Sequence, residues 1–203
     1  MFFDIGSNIG KWSLANINNC NKIIAVEASL RTYDRLIQSV SNNEKIICLN
    51  YAVCNNNGED IVFYDAIADT ISTLNKDWLT SSESRFCGRH YNEIKCKPIT
   101  IDSLIEKYGE PELIKIDVEG GEYSTISSLS KKVNNLCFEW ASETNDITIN
   151  CLDHLKGLGF NYFSIQYEDF YTFRPSEYTN IEEVKELLSK TTPKLDWGMI
   201  WCK

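Results

Sequence analysis

The ten residues Leu113 to Glu122 carry the chain's densest group of chemically active side chains: an apolar run holding Lys115 and Asp117, then Glu119, two glycines and Glu122. A strand period of two turns Lys115, Asp117 and Glu119 toward one face and Ile114, Ile116 and Val118 toward the other. Inside a strand buried on both sides, Lys115 and Asp117 are unfavourable unless each has a partner. Carboxylates at the mouth of a strand can take a proton from a reacting hydroxyl or hold a divalent cation. Glu139 ends the next apolar run, within Cys137-Phe138-Glu139-Trp140. Asp117, Glu119 and Glu139 are therefore candidate catalytic residues, Asp117 is also a candidate cofactor contact, and if a divalent metal is bound its ligands are expected to be Asp117 and Glu139. Glu122 opens a helix, where the dipole favours a carboxylate. His90 is a further candidate base, flanked by Arg85 and Arg89, which could meet an acidic acceptor. His154 lies off the apolar stripe of its helix and reads as a surface residue.

A second constellation lies at the amino terminus. An apolar strand runs into Asp4-Ile5-Gly6-Ser7-Asn8-Ile9-Gly10, and a second apolar run ends in Glu27, followed by Ala28. Gly6 suits a tight turn and Gly10 a close helix–strand contact. An acid about 20 positions on can grip ribose hydroxyls. An adenosine-containing cofactor is expected. A dinucleotide site needs glycine at the middle position so that backbone can approach a pyrophosphate, and Asn8 places a side chain there. S-adenosylmethionine has no pyrophosphate; its amino-acid end could meet Asp4, loop N–H groups and the polar residue at position 8. Asn50, Ala52 and Asn55, after the third strand, are positional candidates for the adenine.

These residues need a scaffold that brings strand ends together. Short apolar runs at 2–5, 23–26, 46–53, 113–118 and 136–140 alternate with helical patterns, as in a mostly parallel α/β sheet. Leu30, Tyr33, Leu36, Ile37 and Val40 mark one helix; Ile147, Cys151, Leu152, Leu155 and Leu158 mark another. Runs at 162–167 and 197–202 close the chain around a helix at 181–188. The turn Asn55-Asn56-Asn57-Gly58 predicts a hairpin between the third run and Ile61 to Tyr64. Residues 65–97 are polar and weakly periodic, and are expected to form an insertion over the active face. Trp78 and Trp140 are placed to stack on a sugar ring. The crowded aromatics from Tyr162 to Tyr178 read mainly as packing.

The 203 residues fit a single domain over 1–203. A formal charge of -9 disfavours a nucleic-acid or anionic-membrane partner. No apolar run is long enough to span a bilayer, and the amino terminus does not resemble a signal peptide, so an intracellular, soluble and cytoplasmic protein is expected. The eight cysteines are scattered without a CxxC pair and read as reduced thiols.

Taken in order, Asp4 to Gly10, Ala25-Val26-Glu27-Ala28, Ala52-Val53 with Gly58, Ile101-Asp102-Ser103-Leu104 and Lys115 to Glu122 resemble the FkbM-type S-adenosylmethionine-dependent methyltransferases. The resemblance covers about residues 1 to 140, and Lys115 to Glu122 is its most specific block. It departs at Ala28, where members usually carry proline, and the chain opens on the first strand where members usually have preceding segments. The resemblance implies a Rossmann-like class I fold with a seven-stranded sheet. It also implies O-methylation of a hydroxyl on a sugar, glycan or small metabolite. A silent S-adenosylmethionine-binding subunit and a nucleotide-dependent dehydrogenase of similar fold are the alternatives.

Overall fold

A computed structural model describes residues 1–203. The strands are β1 (Phe2–Ile5), β2 (Ile23–Glu27), β3 (Ile46–Asn50), β4 (Ala52–Val53), β5 (Ile61–Ala66), β6 (Tyr91–Cys96), β7 (Pro98–Ile99), β8 (Leu113–Ile116), β9 (Leu136–Ala141), β10 (Phe163–Tyr167) and β11 (Trp197–Cys202). The helices are α1 (Lys11–Asn16), α2 (Leu30–Val40), α3 (Asp77–Thr80), α4 (Ile101–Tyr108), α5 (Glu122–Ile126), α6 (Asn145–Gly157) and α7 (Ile181–Leu188). Seven strands form one sheet in the order β10-β11-β9-β8-β1-β2-β3. All neighbours are parallel except β11, which is antiparallel to both β9 and β10.

The apolar runs are continuous because both faces of the sheet are covered. Phe3, Ile5, Ile24, Val26, Ile114 and Phe138 pack on one face against apolar residues of α4 to α7. Phe2, Ile23, Ala25, Leu113 and Cys137 pack on the other against Trp12, Leu36 and Val40. Side-chain oxygens cap the helix starts: Ser29 accepts from Thr32 N–H, Thr100 from Ser103 N–H and Asn180 from Glu183 N–H. No helix is long and apolar enough to cross a membrane.

The expected hairpin does not form. The third run breaks at Tyr51; β3 joins the main sheet, β4 pairs with β7, and β5 pairs antiparallel with β6. The asparagine-rich turn bonds elsewhere: Asn56 Oδ1 accepts from Gly58 N–H at 2.7 Å, and Asn57 Oδ1 accepts from Thr100 N–H at 2.9 Å. That second bond ties the turn to the start of α4. The polar stretch from β5 to β6 has a small core of its own, with Ala66, Ile71, Trp78 and Leu79 packed on Ala141. Arg31 on α2 donates to Asp65 Oδ1 and Ala66 O, and a bidentate Arg85–Glu143 pair fastens the stretch to the segment after β9.

The strand order reverses between β1 and β8, since β2 and β3 lie to one side of β1 and β8 and β9 to the other. Ligands of open α/β sheets bind outside the carboxyl ends of the strands at such a reversal. Both constellations of chemically active residues converge there.

Candidate active site

The chain leaves β1 through a loop of left-handed residues, Gly6 (φ 73°), Asn8 (φ 47°) and Gly10 (φ 81°). Gly6 N–H and Ser7 N–H both donate to Val26 O at 3.0 Å, folding the loop back on β2. A Cβ on Gly6 would lie 1.7 Å from Asp117 O, so only glycine lets the two strand ends approach this closely. Gly10 faces α2, not the cleft, and leaves room for Leu36 and Val40.

Glu27, at the end of β2, is buried beside this loop. Its Oε2 accepts from Asn8 N–H at 3.0 Å and its Oε1 from Ser29 N–H at 2.9 Å. Burial pushes its carboxyl up to about 7 against the opposing effect of those two donors. Between pH 4.5 and 7 the folded chain therefore keeps a proton that the unfolded chain has released. The stability this supplies is full below the unfolded value and is lost as pH rises through 7, on the order of 3 kcal/mol. Thermal unfolding between pH 5 and 8 should show a melting temperature that falls with pH, with a shallower fall in Glu27→Gln. An equal slope in the variant would mean that Glu27 titrates normally.

Asn50 does not reach the cleft. Its Nδ2 donates to the backbone oxygens of Glu27 and Ala28 at 2.9 Å each, so it fastens β3 to the end of β2. Ala28 and Ala52 do line the cleft, together with Val26, Tyr51 and Phe63, and make one end apolar. Asp4 also lies outside the cleft, fully buried beneath the loop, because it is paired in register with Lys115 of β8. Its Oδ2 accepts from Ser13 Oγ at 2.6 Å, and its Oδ1 is 3.5 Å from Lys115 Nζ.

Lys115 is the cation that the sequence pattern requires. Its Nζ lies 3.0 Å from Asp117 Oδ2 and donates to Gly6 O at 3.2 Å. Burial opposes its charge, but Asp117 and Asp4 outweigh burial and raise its pKa above the ordinary lysine value. The ammonium thus ties the first loop to the strand end that carries Asp117.

Asp117, Glu119 and Glu139 come together as expected, each with a carboxylate oxygen within 4.8 Å of the others. Asp117 and Glu119 line the cleft. β8 ends at Ile116, and Glu119 is brought back toward Asp117 by a left-handed turn at φ 57°. Burial, then Asp117 and Glu122, push Glu119 well above the usual carboxyl range; Glu139 is pushed up by burial, then by Glu119, Asp117 and Glu122. Trp78 Nε1 donates to Glu119 Oε2 at 3.0 Å, docking the β5–β6 insertion on this group. Glu122 opens α5, where Val118 N–H donates to its Oε1 at 3.1 Å, a structural position.

Other expected site residues stand elsewhere. His90 is exposed and does not line the cleft; it borders a shallow surface depression beside Cys87, Gly88 and Arg89. His90 O accepts from Ile67 N–H at 3.1 Å, which ties this segment to the end of β5. Arg85 is engaged by Glu143, and Arg89 is exposed beside His90. Trp78 and Trp140 are buried, and Trp140 Nε1 donates to Gln166 O, so neither ring is free to stack on a ligand. The cleft encloses about 980 Å³, including space open to solvent. Asp69, Thr70, Ser72 and Leu74 of the insertion contribute to its wall, as do Lys11, Asp169 and Tyr171. Asp169 and Tyr171 carry no local sequence signal, because they arrive from a turn that follows β10.

The solved structures that share the fold include the following three. Precorrin-6y C5,15-methyltransferase from Geobacter metallireducens GS-15 aligns at a TM-score of 0.50 and 9% identity, over 100% of this chain and 78% of that one. Aeropyrum pernix fibrillarin with natively bound S-adenosyl-L-methionine aligns at 0.50 and 10% identity, over 100% and 65%. Precorrin 8w decarboxylase from Methanobacterium thermoautotrophicum aligns at 0.51 and 6% identity, over 100% and 80%. No curated protein matches the sequence. The seven-stranded, mostly parallel sheet is the Rossmann-like fold these structures share. The chain belongs to the FkbM methyltransferase family, whose domain model matches residues 4–162.

Proposed function

We propose that the chain is an S-adenosylmethionine-dependent O-methyltransferase acting on a hydroxyl of a sugar, glycan or small metabolite. The observation that carries this reading is one cleft joining a ribose-type carboxylate, a glycine loop and a proton-accepting acid at the sheet's reversal. The residues fit the cofactor. Each Glu27 oxygen accepts one backbone N–H and keeps capacity for a ribose hydroxyl. Ser7 Oγ is buried, lines the cleft and has no partner. Ala28 and Ala52 offer apolar contact to an adenine, and Gly6 and Asn8 shape the loop around the amino-acid end.

When bound, S-adenosylmethionine supplies an electrophilic methyl on a sulfonium. The chain's own task is to align an acceptor oxygen with that methyl and to remove its proton. Asp117 is the proposed proton acceptor, since of the three clustered acids it is the one beside the Lys115 ammonium. Glu119, which lines the cleft and is pushed toward its protonated form, would orient the acceptor by a hydrogen bond, and Glu139, pushed the same way, stands within 4.8 Å of Asp117 and Glu119 to support them. The insertion, docked through Trp78, would cover the substrate and exclude water. The three acids could also receive a divalent cation, although Lys115 and Trp78 already engage Asp117 and Glu119.

Other readings are less well supported. Asn8 stands where a dinucleotide needs glycine, which argues against a dehydrogenase. The charge of -9 argues against RNA as the acceptor and against an anionic membrane. Thermal unfolding with S-adenosylmethionine, S-adenosylhomocysteine and NAD tests the cofactor. At a hundredfold excess over Kd the two adenosyl compounds should add about 2.7 kcal/mol, or roughly 5–10 °C. A shift with NAD alone would overturn the reading. Binding without turnover over a hydroxyl panel would favour a silent subunit.

A further inference from the structure

The turn after β10 carries groups that no role above uses. Glu168 takes a left-handed φ of 60°, and its N–H donates to Trp197 O at 2.9 Å. Asn16 of α1 donates through Nδ2 to Tyr171 O at 2.9 Å. The turn is therefore held by β11 on one side and by α1 on the other. Between these two attachments Asp169 enters the same cleft as Ser7 and Lys11. Its carboxyl is pushed up to about 6 by burial; Lys115 opposes that shift, and Asp117 and Asp4 add to it.

The charges at this end of the cleft have a definite pattern. Lys115 Nζ lies 3.5 Å from Asp4 beneath the loop and 3.0 Å from Asp117 in the cleft, so its single charge is shared by those two carboxylates and Asp169 has no ion-pair partner of its own. The cleft also presents donors, the unpartnered Ser7 hydroxyl and the exposed Lys11, the latter opening the helix to which the turn is bonded through Asn16. A ligand bearing an ammonium and a carboxylate on one carbon satisfies both sets, whereas a simple cation or a simple anion satisfies one.

We propose that Asp169 binds the α-ammonium of the cofactor's amino-acid end, while Ser7 Oγ and Lys11 Nζ receive its α-carboxylate. The inference rests on the S-adenosylmethionine reading above and adds a binding residue supplied by the β10–β11 connection. Asp169 then recognises the amino acid and leaves the adenosine to Glu27, Ala28 and Ala52. The turn thus adds Asp169 and Tyr171 to a cleft wall to which the insertion contributes Asp69, Thr70, Ser72 and Leu74.

Titration calorimetry with two ligands separates this assignment from its premise. S-adenosylhomocysteine carries the amino-acid end; 5′-methylthioadenosine keeps the adenosine and the thioether without it. Asp169→Asn should weaken the first about tenfold or more, the loss of a hydrogen bond to a charged group, and change the second by about twofold at most. Ser7→Ala should show the same selectivity. Retained 5′-methylthioadenosine binding also shows that each variant is folded. Equal losses for both ligands, or no loss for S-adenosylhomocysteine, would overturn the assignment while the cofactor reading stands. A wild-type chain that binds neither ligand would remove the cofactor reading and the assignment with it.

Discussion

Gly6→Ala should lower the melting temperature by roughly 8–16 °C and abolish cofactor binding, the consequence of a destabilisation near 4 kcal/mol in a chain of this length. Two effects add. A left-handed conformation, φ 73° at Gly6, costs an alanine about 1–2 kcal/mol. The added Cβ would also lie 1.7 Å from Asp117 O, a backbone atom with no freedom to swing aside. The end of β1 must then separate from the end of β8, breaking the bond from Asp117 N–H to Ile5 O and displacing Gly6 O from Lys115 Nζ. Gly88→Ala is the control: φ there is 80°, and nothing lies within 4 Å of a new Cβ. It should show only the conformational part, about 1–2 kcal/mol. Equal shifts in the two variants would mean that the close approach at Gly6 is not what requires glycine.

The loop around Gly6 is legible in sequence because each of its determinants is local. An apolar strand, two glycines and an acid one βα unit later are enough to predict it, and the acid, Glu27, stands beside the loop with its Oε2 accepting from Asn8 N–H. The clustering of Asp117, Glu119 and Glu139 is legible for a similar reason, since two adjacent parallel strands end at the same edge. What sequence does not display is partner choice. Asn50 stands where an adenine contact is expected, but its amide is taken by the carbonyls of Glu27 and Ala28. Trp78 has the composition of a stacking platform, and its indole N–H is instead bonded to Glu119. The Asn-Gly turn is a hairpin signal only if its flanks pair, and β5 finds a partner in β6, beyond the insertion. Asp169 is the extreme case. It reaches the cleft only because β11 runs antiparallel beside β9 and carries the preceding turn back over α1. No spacing rule connects it to Ser7.

Asp117→Asn should lower kcat by about 100- to 10,000-fold, the usual contribution of a positioned proton acceptor, while S-adenosylhomocysteine affinity stays within about tenfold. The division of labour follows from the charges. Four carboxyls, those of Asp117, Glu119, Glu122 and Glu139, crowd the carboxyl ends of β8 and β9, and full ionisation of all of them is unfavourable at that separation. Lys115 Nζ stands 3.0 Å from Asp117 and offsets a negative charge there, while burial and the neighbouring carboxyls push Glu119 and Glu139 toward their protonated forms. A hydroxyl acceptor entering the cleft then meets Asp117, able to take its proton, and Glu119, able to donate a hydrogen bond, with the Glu139 carboxyl within 4.8 Å of both. Asparagine keeps the shape of Asp117 and removes its capacity to accept a proton. Glutamine at 119 or 139 keeps a donor in place of the protonated acid, so Glu119→Gln and Glu139→Gln should each reduce kcat by about tenfold or less. The ranking of the three variants is therefore the diagnostic. Full turnover in Asp117→Asn with intact cofactor binding would remove Asp117 from the proton-accepting role, and a larger loss in Glu139→Gln than in Asp117→Asn would transfer that role to Glu139.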